Sequence, residues 1–330
     1  MIRAKGTSAL VVAVMLLAGG CGLGQRQRQA ERIHDSRERA IEAGTATGVL
    51  RFEVILDPEV EEVEGLPEAA RTFSVSAAVG YDFAGDSVRL VLAPPVAPSI
   101  EGFEGLEGIE GLEGFGDRAV RPSELDVNAE PDILFTGDVV YVRRSNLRPT
   151  ERRVWAKLDY TELPDEEPRI NFDELGGTQI VLATAATLNP VSVLDLVVGA
   201  LAGSVERGEP EDVDGVRVTR FDSNLSLDRS VTELDLPDDE LEPRLLMFRL
   251  LGIFDDVRPA RYWLDEDGRV RRVEAELLQR VSRRQQHELN VTLEITGYGT
   301  PIEVPVPGAE ETITFERHGR LVRTVAPGDA

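Results

Sequence analysis

Cys21 is the only cysteine in the chain, so its thiol has no internal disulfide partner and is left for a bond to something else. The histidines, His34, His287 and His318, stand far apart, and the paired spacing of a zinc protease helix is missing. Neither a Gly-x-Ser-x-Gly elbow nor a phosphate loop is present. Asp235, Asp238, Asp239 and Glu240 crowd together without the spaced ligands and glycine of a calcium loop. They read instead as a helix start around Pro237, where acids complement the helix dipole. Asp265, Glu266 and Asp267 are expected to form a turn. The residue types predict no catalytic residue, no metal ligand and no cofactor.

What precedes Cys21 says what its thiol is for. Arg3 and Lys5 make a short positive end, Ala9 to Leu17 an apolar run, and Ala18, Gly19 and Gly20 a small-residue approach to Cys21. That is the layout of a secretory signal, and the run is too short for the roughly 20 apolar residues of a membrane span. Leu17-Ala18-Gly19-Gly20-Cys21 resembles a bacterial lipobox, with Ala18 where a larger aliphatic residue is usual. The resemblance implies residues 1–20 as a lipoprotein signal peptide and Cys21 as the lipidated residue, with palmitate-like chains on it. The plainer alternative is an ordinary secreted chain with a chance cysteine.

Charge narrows the partners. The chain has 36 Lys and Arg against 60 Asp and Glu, a formal net charge of −24. Nucleic acid, which needs a basic face, is excluded, and broad electrostatic docking on anionic lipid is disfavoured. Lys5 and Lys157 are the only lysines, a bias expected of genome composition and suggestive of a high-GC actinobacterium.

Residues 21–45 are polar and of mixed charge and read as a tether, with a helix expected from Gln29 to Ala43 and His34 in solvent. From Thr47 the apolar period becomes two, and GVLRFEVIL, TFSVSAAVGYDF and SVRLVLA read as strands, with Gly85-Asp86 as a turn. DILFTGDVVYVRR and RRVWAKLDYTEL continue the pattern. Residues 178–203 are small and aliphatic, with Asp195 as the one charge, and Asn189-Pro190 divides them into two helical pieces. Val191, Leu194, Val198 and Leu201 share one helical face. Strands return at GVRVTRFDSNLSL, at PARYWLDEDGRVRRVEAELLQRVS with its hairpin turn at Glu266-Asp267-Gly268, and at HELNVTLEITGYG, where His287 is expected on the solvent side. RLLMFRLLGIF reads as a short helix. Strands with one apolar face and helices to cover it predict an α+β fold.

Four segments carry a family resemblance: VVYVRRSNLRPTERRVWAKLDY with Trp155, GEPEDVDGVRVTRF, PARYWLDEDGRVRRVEAEL and ITGYGTPIEVPVPGAEET. In this order they resemble the LppX/LprG-like actinobacterial lipoproteins, whose fold is akin to the LolA and LolB carriers, over most of residues 45–315. The resemblance implies an open antiparallel half-barrel sheet with helices packed in its concave face, here a single domain over 46–325. It also implies an apolar cavity between sheet and helices that holds acyl chains.

Within a loop at about 94–128, Gly102 to Gly116 repeats Gly, apolar, Glu with a period of three. Glycine at every third place costs a helix about 1 kcal/mol each, whereas a three-residue polyproline-II turn aligns Phe103, Leu106, Ile109, Leu112 and Phe115 in one stripe. The plain reading is an acidic low-complexity insertion; the sharper one is a flap at the cavity mouth.

The expected function is that of a membrane-anchored, extracytoplasmic lipoprotein on the cell membrane. It is read as a monomeric carrier or chaperone for a lipid, glycolipid or other hydrophobic ligand, working by burial at about 0.8 kcal/mol per methylene and not by covalent chemistry. Val191, Leu194, Val198, Leu201, Leu246 and Leu250 are the candidate lining residues. The alternative is a cell-envelope interaction or sensor lipoprotein with a protein partner and no bound ligand, and a hydrolase stands third.

Overall fold

A computed structural model describes residues 8–58, 71–93, 126–143, 155–159, 168–170, 189–234, 248, 252–253, 257–280, 286–314 and 322–324. Helix α1 (Ser8–Glu42) leads into β1 (Thr45–Ile55), β2 (Thr72–Asp82), β3 (Ser87–Leu92), β4 (Ile133–Thr136), β5 (Val139–Arg143), β6 (Trp155–Asp159) and β7 (Pro168–Ile170). A helical segment follows, α2 (Pro190–Asp195) running on into a tight turn at Leu196–Gly199. Then come β8 (Glu206–Val213), β9 (Val216–Leu225), α3 (Leu227–Glu233), β10 (Arg258–Asp265), β11 (Val270–Arg280), β12 (Gln286–Tyr298), β13 (Thr312–Thr314) and β14 (Val322–Thr324).

Among the described residues, one sheet takes twelve of these strands in the order β13-β6-β5-β4-β3-β2-β1-β12-β11-β10-β9-β8. Its pairs are antiparallel except β13 with β6, and its two edges do not meet. This is an α+β, open half-barrel-like sheet: the alternation predicts the α+β class, and the family resemblance implies the open half-barrel. Short turns join neighbours: Phe83 to Asp86 between β2 and β3, where Asp86 has φ +44°, and Glu266 to Gly268 between β10 and β11, where Gly268 has φ +76°. Both turns fall where the sequence places them.

Alternation sorts the sheet's two faces. On the concave face Leu50, Phe52 and Val54 of β1 stand opposite Leu293, Val291 and Leu289 of β12 and opposite Ala77, Val75 and Phe73 of β2. The ladder continues through Val79, Leu90 and Ile133 on one side and through Val273, Tyr262 and Phe221 on the other. All of these residues belong to one buried cluster. On the opposite face Leu134, Tyr141 and Trp155 form a second cluster with Val304. The stretch after β12 runs over this face: Ile302 lies against Gly80, and the Glu303 carbonyl accepts from Arg89 at 2.8 Å before β13 adds to the β6 edge.

Two elements depart from the sequence reading. Residues 29–42, expected in a tether, are a docked helix: Ala30, Ile33 and Ala40 are fully buried in the main cluster. A helix with an inward stripe this narrow, its other faces charged, looks polar in sequence and still packs. His34, expected in solvent, places Nε2 3.2 Å from the Ala200 carbonyl oxygen. Strand β8 was not foreseen, because ERGEPEDV is polar and contains Pro210. It is an edge strand with its residues largely exposed, the position that tolerates charge and proline.

Candidate functional site

The concave face has two ends, fixed by register. Ala46 pairs with both Tyr298 and Tyr81, so these lie at the hairpin end, beside the β10–β11 turn. Ile55 pairs with Glu288, which pairs with Leu278, so Leu56, His287 and Gln279 lie at the far end.

At the hairpin end the polar groups are matched. Pro190 occupies the first turn of α2, and Asn189 caps it, its Oδ1 accepting from the Val191 N–H at 2.9 Å. The Asn-Pro boundary therefore starts the second of the two expected helical pieces; the first, before residue 189, lies outside the described residues. This capped start delivers Asp195 to α1. Arg37 Nε donates to Asp195 Oδ1 at 2.6 Å, with the two side chains 13% and 4% exposed. The Tyr81 hydroxyl lies 3.4 Å from the Pro190 carbonyl it donates to, and the Tyr298 hydroxyl donates to the Val270 carbonyl. Arg39 Nη1 reaches the Asp267 carbonyl at 2.6 Å, closing α1 onto the hairpin. Asp265, as expected, forms the turn: it accepts from the Arg269 N–H at 2.9 Å and pairs with Arg269 and Arg271. These two guanidiniums stack over the Tyr298 ring, 5.1 and 4.8 Å from its centroid. Between α1 and the hairpin lies an open groove of about 640 Å³ lined by Asp35, Glu38, Arg39, Glu42, Ala43, Asp267 and Arg269. Its walls are charged, unlike an acyl site.

The far end is different. Gln279 is fully buried, and neither amide atom has a hydrogen-bond partner. Its cross-strand neighbour is His287, 2% exposed. His287 was expected in solvent, but the phase set by Leu289, Val291 and Leu293 puts it on the concave face. Nδ1 of His287 accepts from the Asp57 N–H at 3.2 Å, which leaves the proton of the neutral ring on Nε2. Burial pushes its pKa down to about 4, the nearby Asp57 charge opposing. In mid-face the Tyr262 hydroxyl is also buried without a partner, and burial raises its pKa.

The candidate lining residues divide. Val191, Leu194 and Val198 are buried in the main cluster, and Leu201 is half-buried. Every residue from Pro190 to Ala200 is buried, so this segment is enclosed on all sides and not along one stripe. Leu246, Leu250, the Gly102–Gly116 repeat, the acids Asp235 to Glu240 and His318 lie outside the described residues. Cys21 lies on α1, eight residues before Gln29, the first buried residue described on that helix. Trp155 and Trp263 are buried on the convex side. Arg143 stacks on Trp155 and Arg272 on Trp263, and the Trp263 indole N–H donates to Glu211. Among the described residues no helix is long and apolar enough to cross a membrane, and no group of His, Cys, Asp and Glu could hold a metal ion. No motif marks Gln279 or His287; the two-residue period of their strands is the signal that places both inward.

No protein-family model matches the chain, and no curated protein matches it. Among solved structures it is similar to LppX, a lipoprotein of Mycobacterium tuberculosis, at TM-score 0.37 and 14% identity, over 83% of this chain and 98% of that one. It is also similar to LprF of Mycobacterium bovis at TM-score 0.32 and 11% identity, over 86% and 98%. Lipovitellin matches at TM-score 0.28 and 10% identity, over 81% of this chain and 26% of that one.

Proposed function

We propose that this chain is an extracytoplasmic lipoprotein of the cell membrane, anchored through lipid on Cys21, that carries a lipid or other hydrophobic ligand against the concave face of its sheet. The observation that carries this reading is the unbroken apolar ladder from Val140 of β5 through β1 and β12 to Phe221 of β9. Acyl chains need a non-directional apolar surface, and each methylene buried there contributes about 0.8 kcal/mol. The mechanism has no covalent step: an acyl chain leaves water for the face, and the anchor keeps the face near the bilayer. Eight residues of helix are about 12 Å long, so the body of the protein stands close to the membrane surface and not at the end of a long tether. One lipid chain gives marginal anchoring and two or three a durable one.

A second reading is a ligand-free interaction or sensor lipoprotein. It is favoured by the close burial of Val191, Leu194 and Val198 among the strands, which is how a filled sheet–helix interface looks. The full chain, expressed in an actinobacterial host and purified in detergent, separates the two by native mass spectrometry with lipid extraction. The carrier gives a discrete co-purifying lipid near one-to-one, beyond the mass of the covalent anchor. An acylated chain that carries no lipid and takes none from an envelope extract supports the second reading. The same spectrum reports whether Cys21 is acylated.

A further inference from the structure

Alternation alone would make the far end of the concave face as apolar as its centre. β11 presents Val273, Ala275 and Leu277 inward, and the next inward residue is Gln279; β12 presents Leu293, Val291 and Leu289, and the next is His287. These two are directly opposed across the strands, so the apolar floor ends in one polar pair. The Gln279 amide offers two N–H donors and a carbonyl acceptor, all fully buried and unmatched. His287 offers one N–H at Nε2, since its Nδ1 is occupied by the Asp57 N–H. A buried amide without partners is a standing cost that folded proteins generally avoid.

We propose that Gln279 and His287 form a recognition site for the uncharged polar end of an acyl ligand, an ester carbonyl or hydroxyl, whose hydrocarbon lies along Leu277, Leu289 and Val54. This deepens the carrier reading and rests on it. The donors are neutral. Within the pair a phosphate or carboxylate would meet no guanidinium or ammonium, and the Arg71 guanidinium at the same end is engaged with the Leu56 carbonyl; burying a charge without a direct counter-charge is far costlier than burying an ester. The amide can serve both kinds of group: its N–H donates to an ester carbonyl, and its carbonyl accepts from a free hydroxyl where the ligand carries one. His287 Nε2–H adds a second donor. Low titration of the imidazole keeps this donor neutral throughout the pH range of a cell envelope.

The test uses the delipidated full chain in detergent and three probes: tripalmitoylglycerol, which carries neutral esters; squalane, a hydrocarbon without polar atoms; and dipalmitoylphosphatidylglycerol, which is anionic. Bound probe per protein is read by lipid extraction and native mass spectrometry. The expected result is retention of the triester at least ten-fold above squalane and above the anionic lipid. Gln279→Leu then lowers triester retention about ten-fold with squalane uptake unchanged. Gln279→Met, of similar length, does the same, and thermal unfolding of both variants confirms that they fold. Equal uptake of triester and squalane by the unaltered chain overturns the recognition site while leaving the carrier intact. So does triester retention that survives both substitutions. Binding of no probe at all overturns the carrier reading and the recognition site with it.

Discussion

The two ends of the concave face solve the problem of buried polarity in opposite ways. At the hairpin end, Arg37 meets Asp195, and the Tyr81 and Tyr298 hydroxyls meet backbone carbonyls. At the far end, the Gln279 amide meets nothing and His287 uses one of its two ring nitrogens. The same sheet, with the same alternation, thus builds a closed structural end and a polar end with bonding capacity to spare. The contrast separates polarity that fixes α1 and α2 on the sheet from polarity available to a ligand.

Substitutions should therefore act with opposite sign at the two ends. The largest effect is at the ion pair: Arg37→Ala or Asp195→Ala removes one half of a buried pair and is expected to cost about 3–5 kcal/mol in urea unfolding. The joint Arg37→Met, Asp195→Leu variant should recover most of that loss, because desolvation of both charges goes with them.

Next comes His287. Its folded pKa of about 4 lies below the unfolded value of 6.5, so the unfolded chain binds the extra proton between these limits. Its contribution is complete above about pH 6.5, shrinks as pH falls, and is gone below about pH 4, on the order of 3 kcal/mol in all. Unfolding series at pH 7, 5.5 and 4.5 check this, and His287→Asn should flatten that part of the slope.

The far end should then show a gain. Gln279→Leu removes an unmatched amide and is expected to raise ligand-free stability by about 1–3 kcal/mol. A loss of similar size would mean that the amide is held by a partner and that the two ends are alike. The smallest effect belongs to Arg28→Gln on the exposed side of α1, within about 0.5 kcal/mol.

Much of the fold is legible in the sequence because strands with one buried face write their period into it. β1, β2, β9, β11 and β12 are all visible as alternation, and their turns as Gly-Asp and Asp-Gly. What stays hidden has physical causes. β8 is an edge strand and has no buried face to record. α3 is short, begun by Ser226, whose hydroxyl accepts from the Arg229 N–H, and carries no run long enough for a helical period. α1 docks with an inward stripe that mixes Ala30, Ile33 and Ala40 with Ser36 and Arg37, so its apolar moment is small and the segment reads as polar. Val191, Leu194 and Val198 are buried no more than their neighbours, and a helix buried all round has no polar side to orient it. His287 and Gln279 were within reach: the phase of their own strands points them inward, but a polar residue at a strand end invites a solvent reading.

The central claim is that the concave face, and not the convex one, receives acyl chains. It is tested most directly by loading the delipidated full chain with a palmitoyl ester bearing a photoactivated diazirine, irradiating, and mapping the labelled peptides. The account predicts label in β1, β11 and β12, on peptides holding Leu50 to Val54, Leu277 and Leu289 to Leu293. Label confined to the convex cluster of Leu134, Tyr141 and Trp155, or no label above that of an unloaded control, would contradict it.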